Sequence, residues 1–512
     1  LIIEKNGEPV SITANIYDLN GIDRAELYLQ VGGTSNELII PMSNVRSSEY
    51  TAVIPDSLVG INNFRAKIIS SDNLSYYTTS EYGSTEIQFN DSNLTMGNEF
   101  SFYPNGIEKG QWELISWPGR PKDNSLALSS LEDGHVFYEW DPIKESYSVA
   151  SEIKSGRSYW FKHIYEDPII FKEDTSFSLP LNDFQIDLEK GWNLISSPFS
   201  FPVLFKKDSL VSELLTYGIN DKSSGWSAPQ DTLYPWNGYA VYSAERSFIS
   251  ILPFPDDDLV PRITLTNEWY LGIEIKTENK INYASEIGRR PSASDGADIF
   301  DIPIYPDIDK GISVKMDVNG NGNYSYMKDV RNIEEKNGVW NLKLNWEGES
   351  ASLFGEYRKI VPDGIKAALV DISTRKISYD FIERNIVLNK SSEISYDIKI
   401  VAGDADYVDR ISKDILNNIP EEFSLSQNYP NPFNPLTKLD YTLPKRSRVI
   451  VTIYNVLGKE IVNLINSEQE YGYHSVSWSG SDSQGRPVSS GVYFAQMRSE
   501  GFHQTKKMLL LK

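Results

Sequence analysis

The period of the apolar residues narrows the fold most. Val10, Ile12, Ala14 and Ile16 alternate with Ser11, Thr13 and Asn15. After the turn at Asn20-Gly21, Ala25, Leu27, Leu29 and Val31 alternate with Glu26, Tyr28 and Gln30. A period of two puts apolar side chains on one face of an extended strand and polar ones on the other, the pattern of a half-buried antiparallel sheet. The segments at 50–55 and 64–68 continue it. Elsewhere the apolar runs are short, rich in Val, Ile and Tyr, and punctuated by 33 Gly and 26 Pro spread along the chain, which favours strands over helices. The predicted class is all-β. At 512 residues the chain exceeds one core and should divide into several domains.

Charge and cysteine content exclude several functions. With 49 Lys and Arg against 71 Asp and Glu the net charge is −22, the wrong sign for nucleic acid or an anionic membrane surface. The absence of cysteine removes disulfides, cysteine zinc sites and thiol nucleophiles. No run of about 18 apolar residues is present to span a membrane. The chain starts at Leu1 almost directly in strand-like sequence, as expected of a processed product or the tail of something longer.

Residues 97–255 carry an internal repeat. Trp112-Glu113-Leu114-Ile115-Ser116 matches Trp192-Asn193-Leu194-Ile195-Ser196, and Tyr159 matches Tyr239, both 80 residues apart. Two landmarks at one offset predict two copies of one β-rich unit and a pseudo-symmetric pair. Trp117, Trp140 and Trp236 have no aromatic counterpart at that offset, which makes them the candidates for exposed glycan contacts. The recurring pairs are better read as core. The Pro- and Asp-rich stretch from Pro253 to Asp258 reads as a linker to a third β-rich region at 260–404, an expected accessory sandwich with an acidic loop at Asp295, Asp298, Asp301, Asp307 and Asp309. Val408, Ile411, Ile415 and Leu416 have helical spacing, so 405–422 is expected to be a hinge-like linker able to hold one short amphipathic helix.

Chemistry-bearing motifs are sparse. Four histidines occur, His135, His163, His474 and His503, and no nucleophile elbow, phosphate loop or zinc-binding helix accompanies them. Asp317, Asn319 and Asn321, followed by Gly322, match the opening of a calcium loop, but Lys328 stands where the bidentate Glu belongs. The same Asn-Gly steps make hairpin turns, so both readings stay open. Calcium is the one cofactor suggested.

Residues 423–512 hold the most specific string, Tyr429-Pro430-Asn431-Pro432-Phe433-Asn434-Pro435. Strand-like segments follow, with Tyr454-Asn455 ahead of Gly458, then Trp478, Gly491-Val492-Tyr493, and an end that runs from Lys506-Lys507 into Leu509-Leu510-Leu511. Together these landmarks resemble the type A C-terminal sorting domain of the type IX secretion system of Bacteroidota-related bacteria. The resemblance implies a small seven-stranded sandwich akin to the immunoglobulin-like domain of flagellar hook-capping proteins. It also implies export through outer-membrane secretion machinery, with removal of the domain and attachment to surface lipopolysaccharide in some members. Residues 1–92, with Asp18, Asn20-Gly21 and Gly32-Gly33, are similar to the immunoglobulin-like or fibronectin-like spacers of bacterial extracellular proteins. From Pro420 onward, ten basic and eight acidic residues leave the C-terminal end at +2 and the rest of the chain at −24.

The expected architecture is therefore a row of immunoglobulin-like and other β-sandwich modules ending in a seven-stranded one. The expected role is non-catalytic: a secreted or surface-displayed structural, adhesive or glycan-binding protein. Its partners would be the secretion machinery and surface polysaccharide or other surface proteins. The alternative is the accessory tail of an exported peptidase or glycoside hydrolase whose catalytic domain precedes Leu1.

Overall fold

A computed structural model describes residues 2–3, 8–60, 62–87, 105–120, 134–171, 177–206, 210–220, 223–227, 230–254, 268–306, 308, 311–358, 362, 364–390 and 396–511. The described residues are nearly all β, with one α-helix, Ala405–Asn417. They form two compact units. The first holds 1–333, 344–361 and 385–394, the second 334–343, 362–384 and 395–512.

The first unit begins with a sandwich. One sheet orders Val10–Asn15, Glu49–Ile54 and Ser43–Arg46. The other places Ile22–Val31 between Glu37–Pro41 and Phe64–Asp72. The alternation read from the sequence supplies the core: Ala25, Leu27 and Leu29 of one sheet face Ala52 and Ile54 of the other. Gly32 and Gly33 lie against the Phe201 ring, where a Cβ at Gly33 would sit 3.0 Å from it, and the Gly33 amide donates to the Pro253 carbonyl at 2.9 Å. Glycine is required at that close approach.

The two repeat copies pair strand for strand. Glu113–Ser116 lies antiparallel to Ser158–His163 with Ile115 opposite Tyr159, and Gly191–Ser196 lies antiparallel to Gly238–Ser243 with Ile195 opposite Tyr239. Each copy has its own core, one around Ile115, Phe137 and Tyr159, the other around Ile195, Leu233 and Tyr239.

The boundary expected at 255–260 does not separate two domains. Ser223–Trp226 runs parallel to Lys280–Arg290, with Gly225 opposite Ile281, and Lys280–Arg290 pairs in turn with Trp269–Lys276 and Tyr326–Asn332. A Pro- and Asp-rich stretch shows where strands stop, not which strands pair across it. Residues 255–258 themselves lie outside the described residues.

In the second unit Ile365–Asp371 lies between Tyr396–Asp404 and Lys376–Ser378. The helix Ala405–Asn417 follows directly and packs Val408, Ile411, Ile415 and Leu416 against Ala368, Val370 and Val401. The helical spacing was legible, but 405–422 is no hinge: the apolar stripe packs on a sheet, with Val408 buried and Ile411, Ile415 and Leu416 half-buried. Residues 423–511 then form seven strands in two sheets. Thr437–Leu443 sits between Ser424–Leu425 and Gly472–Trp478. The other sheet runs Glu460–Gln469, Ser447–Asn455, Gly491–Ser499 and Phe502–Leu510.

Candidate functional site

The C-terminal module brings together the two ends of its motif. Phe502–Leu510 is the outermost strand of its sheet, and an unpaired strand edge invites unwanted association. Here the Asn-Pro segment covers it. Asn431 Oδ1 accepts from the Leu509 amide at 2.9 Å, the Phe433 amide donates to the Leu509 carbonyl at 3.0 Å, and the Leu511 amide donates to the Phe433 carbonyl at 2.9 Å. Gln427 Nε2 reaches the Lys507 carbonyl at 2.8 Å, and Asn431 Nδ2 reaches the same oxygen at 3.3 Å. The prolines, which lack an N–H to offer, keep the segment from becoming a full strand. Both the Tyr429–Pro430 and Asn431–Pro432 bonds are cis.

Asn428 holds the segment from beneath. It is buried, and its amide donates to the Pro430 carbonyl at 3.0 Å and to the Thr437 hydroxyl at 2.9 Å. Phe433 is buried against Trp478, with ring centroids 5.5 Å apart, and Trp478 meets Tyr493 edge-on at 5.1 Å. Trp478 Nε1 donates to the Ser481 carbonyl and Tyr493 Oη to the Ser489 carbonyl. Trp478 and Tyr493 therefore centre the core, while Tyr429 and Lys507 stand exposed. Asn434 and Pro435 are exposed where the segment leaves the strand edge, and Lys506 is half-buried. The Asn455 carboxamide accepts from the Leu457 and Lys459 amides, both at 3.0 Å, closing a turn in which Gly458 takes a φ of 74°. That turn explains the Tyr454-Asn455 to Gly458 spacing. Sequence reasoning named the prolines of the segment but missed the work of Gln427 and Asn428; the Asn that precedes each Tyr-Pro or Pro step was the available signal.

The glycan candidates are placed differently from expectation. Trp117 and Trp236 are buried, 2% and 0% exposed, and pack on each other at 6.1 Å in the first copy's core. Neither can offer a face to a sugar. Trp236 has no aromatic counterpart because its equivalent is Gly156. Both residues hold positive φ, 69° and 76°, and a Cβ on Gly156 would meet the Phe184 ring at 2.8 Å. Trp140 is half-buried, donates its indole N–H to the Trp192 carbonyl at 2.7 Å and pairs across the sheet with Tyr147. By strand register its counterpart is Tyr217, which pairs with Trp226. Each copy therefore carries one Trp-Tyr cross-strand pair, with ring centroids 4.9 Å and 5.6 Å apart. Of the recurring landmarks, Trp192, Tyr159 and Tyr239 are buried and Trp112 is half-buried.

At the calcium-like loop the oxygens turn to the backbone. Asp317, 3% exposed, accepts from the Asn321 amide at 3.2 Å and the Gly322 amide at 2.7 Å. Asn319 Oδ1 accepts from the Ala297 amide, and Asn321 Oδ1 from the Asn323 amide. This is a capped hairpin turn between Ile312–Met316 and Tyr326–Asn332. Among the described residues no group of three or more His, Asp or Glu is placed to hold a metal.

In the acidic loop, Asp301 accepts from the Val330 amide at 2.8 Å and the Asp298 amide at 2.9 Å. Burial pushes its carboxyl up to about 7 against those two hydrogen bonds, with the charges of Asp329 and Asp298 adding to the rise. Asp307 and Asp309 lie outside the described residues. His163 is buried, with Nε2 2.7 Å from the Ile107 carbonyl, and His135 stands edge-on to Phe137.

Residues 436–501 match the family described as the FlgD Ig-like domain, in line with the seven strands in two sheets. No curated protein matches the chain. Among solved structures, latent dimeric PorU from Porphyromonas gingivalis overlaps 64% of this chain and 31% of its own at 9% identity, with a TM-score of 0.16. PorZ of the same organism, described as an essential bacterial surface component of the type IX secretion system, overlaps 98% of this chain and 100% of its own at 8% identity, also at 0.16. Overlap this loose carries no argument about fold or role. Among the described residues no helix is long and apolar enough to cross a membrane.

Proposed function

We propose that residues 423–512 are an export module read by type IX secretion machinery, and that the modules before them form a non-catalytic body delivered to the cell surface or the medium. One observation carries this reading. The Tyr429–Pro435 segment and the end of the strand Phe502–Leu510, the two most specific parts of the motif, are stapled into one continuous edge by Asn431, Gln427 and Phe433. A recognition surface made from both sequence extremes explains why both are needed for the resemblance. The immunoglobulin-like match at 436–501 supports it. The non-catalytic reading draws support from the carboxylates singled out above: Asp317, Asp301 and Asp298 each accept backbone N–H groups.

Fusing 423–512 to a periplasmic reporter in a host with this secretion system tests the assignment. The fusion should reach the surface or medium, and substituting both Asn431 and Gln427 by Ala should retain it inside. A fusion that stays periplasmic with the native module contradicts the assignment.

A further inference from the structure

The junction between the body and the C-terminal module is built unlike a cleavable tether. The helix ends at Asn417 and the next strand begins at Ser424, leaving six residues between them. Arg375, in the left-handed region at φ 55°, extends its guanidinium across that junction. Its Nη2 donates to the Leu416 carbonyl at 2.9 Å, and its Nη1 to the carbonyls of Ile419 at 2.9 Å and Pro420 at 3.3 Å. A cation at a helix C-terminus also meets the negative end of the helix dipole. Ile419 and Pro420 are buried, Ile419 within the core beneath the helix. Beyond them the Thr442 hydroxyl donates to the Glu422 carbonyl at 2.9 Å, and Phe423 stacks on Phe502. The exposed stretches are the pairs 417–418 and 421–422.

A second set of contacts holds the module independently of the chain. Tyr471 packs into the core of Val370, Val401 and Val408. Beside it Glu470 accepts an ion pair from Lys343 at 2.9 Å and lies 3.8 Å from Arg446.

We infer that the C-terminal module is retained on the mature protein, because the junction offers a processing peptidase no extended, accessible stretch. Peptidases cut exposed loops that can open into their cleft, and here opening requires breaking the Arg375 bonds and lifting Ile419 from the core. This inference rests on the export reading: it says that the module is carried to the surface and stays there, so the chain keeps its export surface after arrival.

The test uses the full chain. A Glu-specific endopeptidase addresses the exposed Glu421 and Glu422, and intact mass identifies the fragment released there. When cleavage tracks the open population, a variant with six Gly and Ser residues inserted between Pro420 and Glu421 should be cut at least about tenfold faster than the native chain, with R375A in between. On cells of the secreting host, the mature native protein should contain peptides from 423–512, while the insertion variant loses them. A mature native protein that lacks 423–512, or a native chain cut as fast as the insertion variant, overturns retention. Loss of export in a 423–512 deletion tests the other reading: if the deleted chain still reaches the surface, the export assignment fails whatever the junction does.

Discussion

Tyr159 and Tyr239, eighty residues apart, are related by a pseudo-twofold exchange. Each hydroxyl accepts from a backbone amide five residues earlier, Lys154 and Tyr234, both at 2.8 Å. The exchange continues between the copies. The Ser116 amide donates to the Trp236 carbonyl and its hydroxyl to the Asn237 carbonyl, while the Ser196 amide donates to the Gly156 carbonyl and its hydroxyl to the Arg157 carbonyl. Every position in the second set is 80 residues from its mate in the first. Each copy thus completes the strand edge of the other, the self-complementary logic of a twofold dimer within one chain.

The tyrosine pair makes a matched prediction. Tyr159→Phe and Tyr239→Phe each leave one backbone N–H unmet in or beside a core, at a cost of about 1–3 kcal/mol. Denaturant unfolding should show both variants destabilised by similar amounts. A neutral result for one alone would break the equivalence.

Trp236 should behave as a plug in the first copy's core. Trp236→Ala is expected to cost about 3–5 kcal/mol. Trp236→Gly should be no worse than Ala, and better by up to about 1 kcal/mol, because the backbone sits at positive φ where glycine is unstrained. Equilibrium unfolding checks the order; an alanine variant clearly more stable than the glycine one contradicts the backbone reading.

Asp317→Ala should destabilise the first unit by about 1–2 kcal/mol through loss of the loop cap. Millimolar calcium should leave the melting midpoint of the native chain where it was. A calcium-dependent rise that disappears in Asp317→Ala would restore the metal reading.

Asp397, buried in the strand Tyr396–Asp404, sets a pH dependence. Burial pushes this carboxyl up to about 6, and the Glu470 charge adds to the rise while Lys343, Arg446 and Lys399 oppose it. The folded state therefore holds the proton to higher pH than the unfolded chain. Its contribution is greatest below the ordinary carboxylate range and is lost as pH rises through about 6. The second unit should melt lower at pH 7.5 than at pH 5, and Asp397→Asn should flatten that difference. An unchanged slope in the variant would remove Asp397 as its source.

Strand periodicity and the two-copy repeat were legible because each rests on local alternation or on landmarks at a constant offset. What was lost depends on pairing. At the 80-residue offset Trp140 has no partner because its register mate, Tyr217, lies 77 residues away, a three-residue shift that a fixed offset cannot follow. Trp236 has a glycine as its mate, which in the sequence leaves it unmatched, yet the ring fills the other copy's core. The Ser223–Trp226 strand shows nothing in its composition of its parallel neighbour at Lys280–Arg290. At the C-terminal edge, the prolines marked the segment, but only the fold shows Asn431 closing against Leu509.

The most direct test of the central claim is to delete 423–512 from the full chain and ask where the protein goes in the secreting host. Export through this module predicts accumulation in the periplasm with the first unit's melting transition unchanged, while what remains of the second unit, stripped of Tyr471, melts lower. A deleted chain found on the surface or in the medium at native levels would contradict the account.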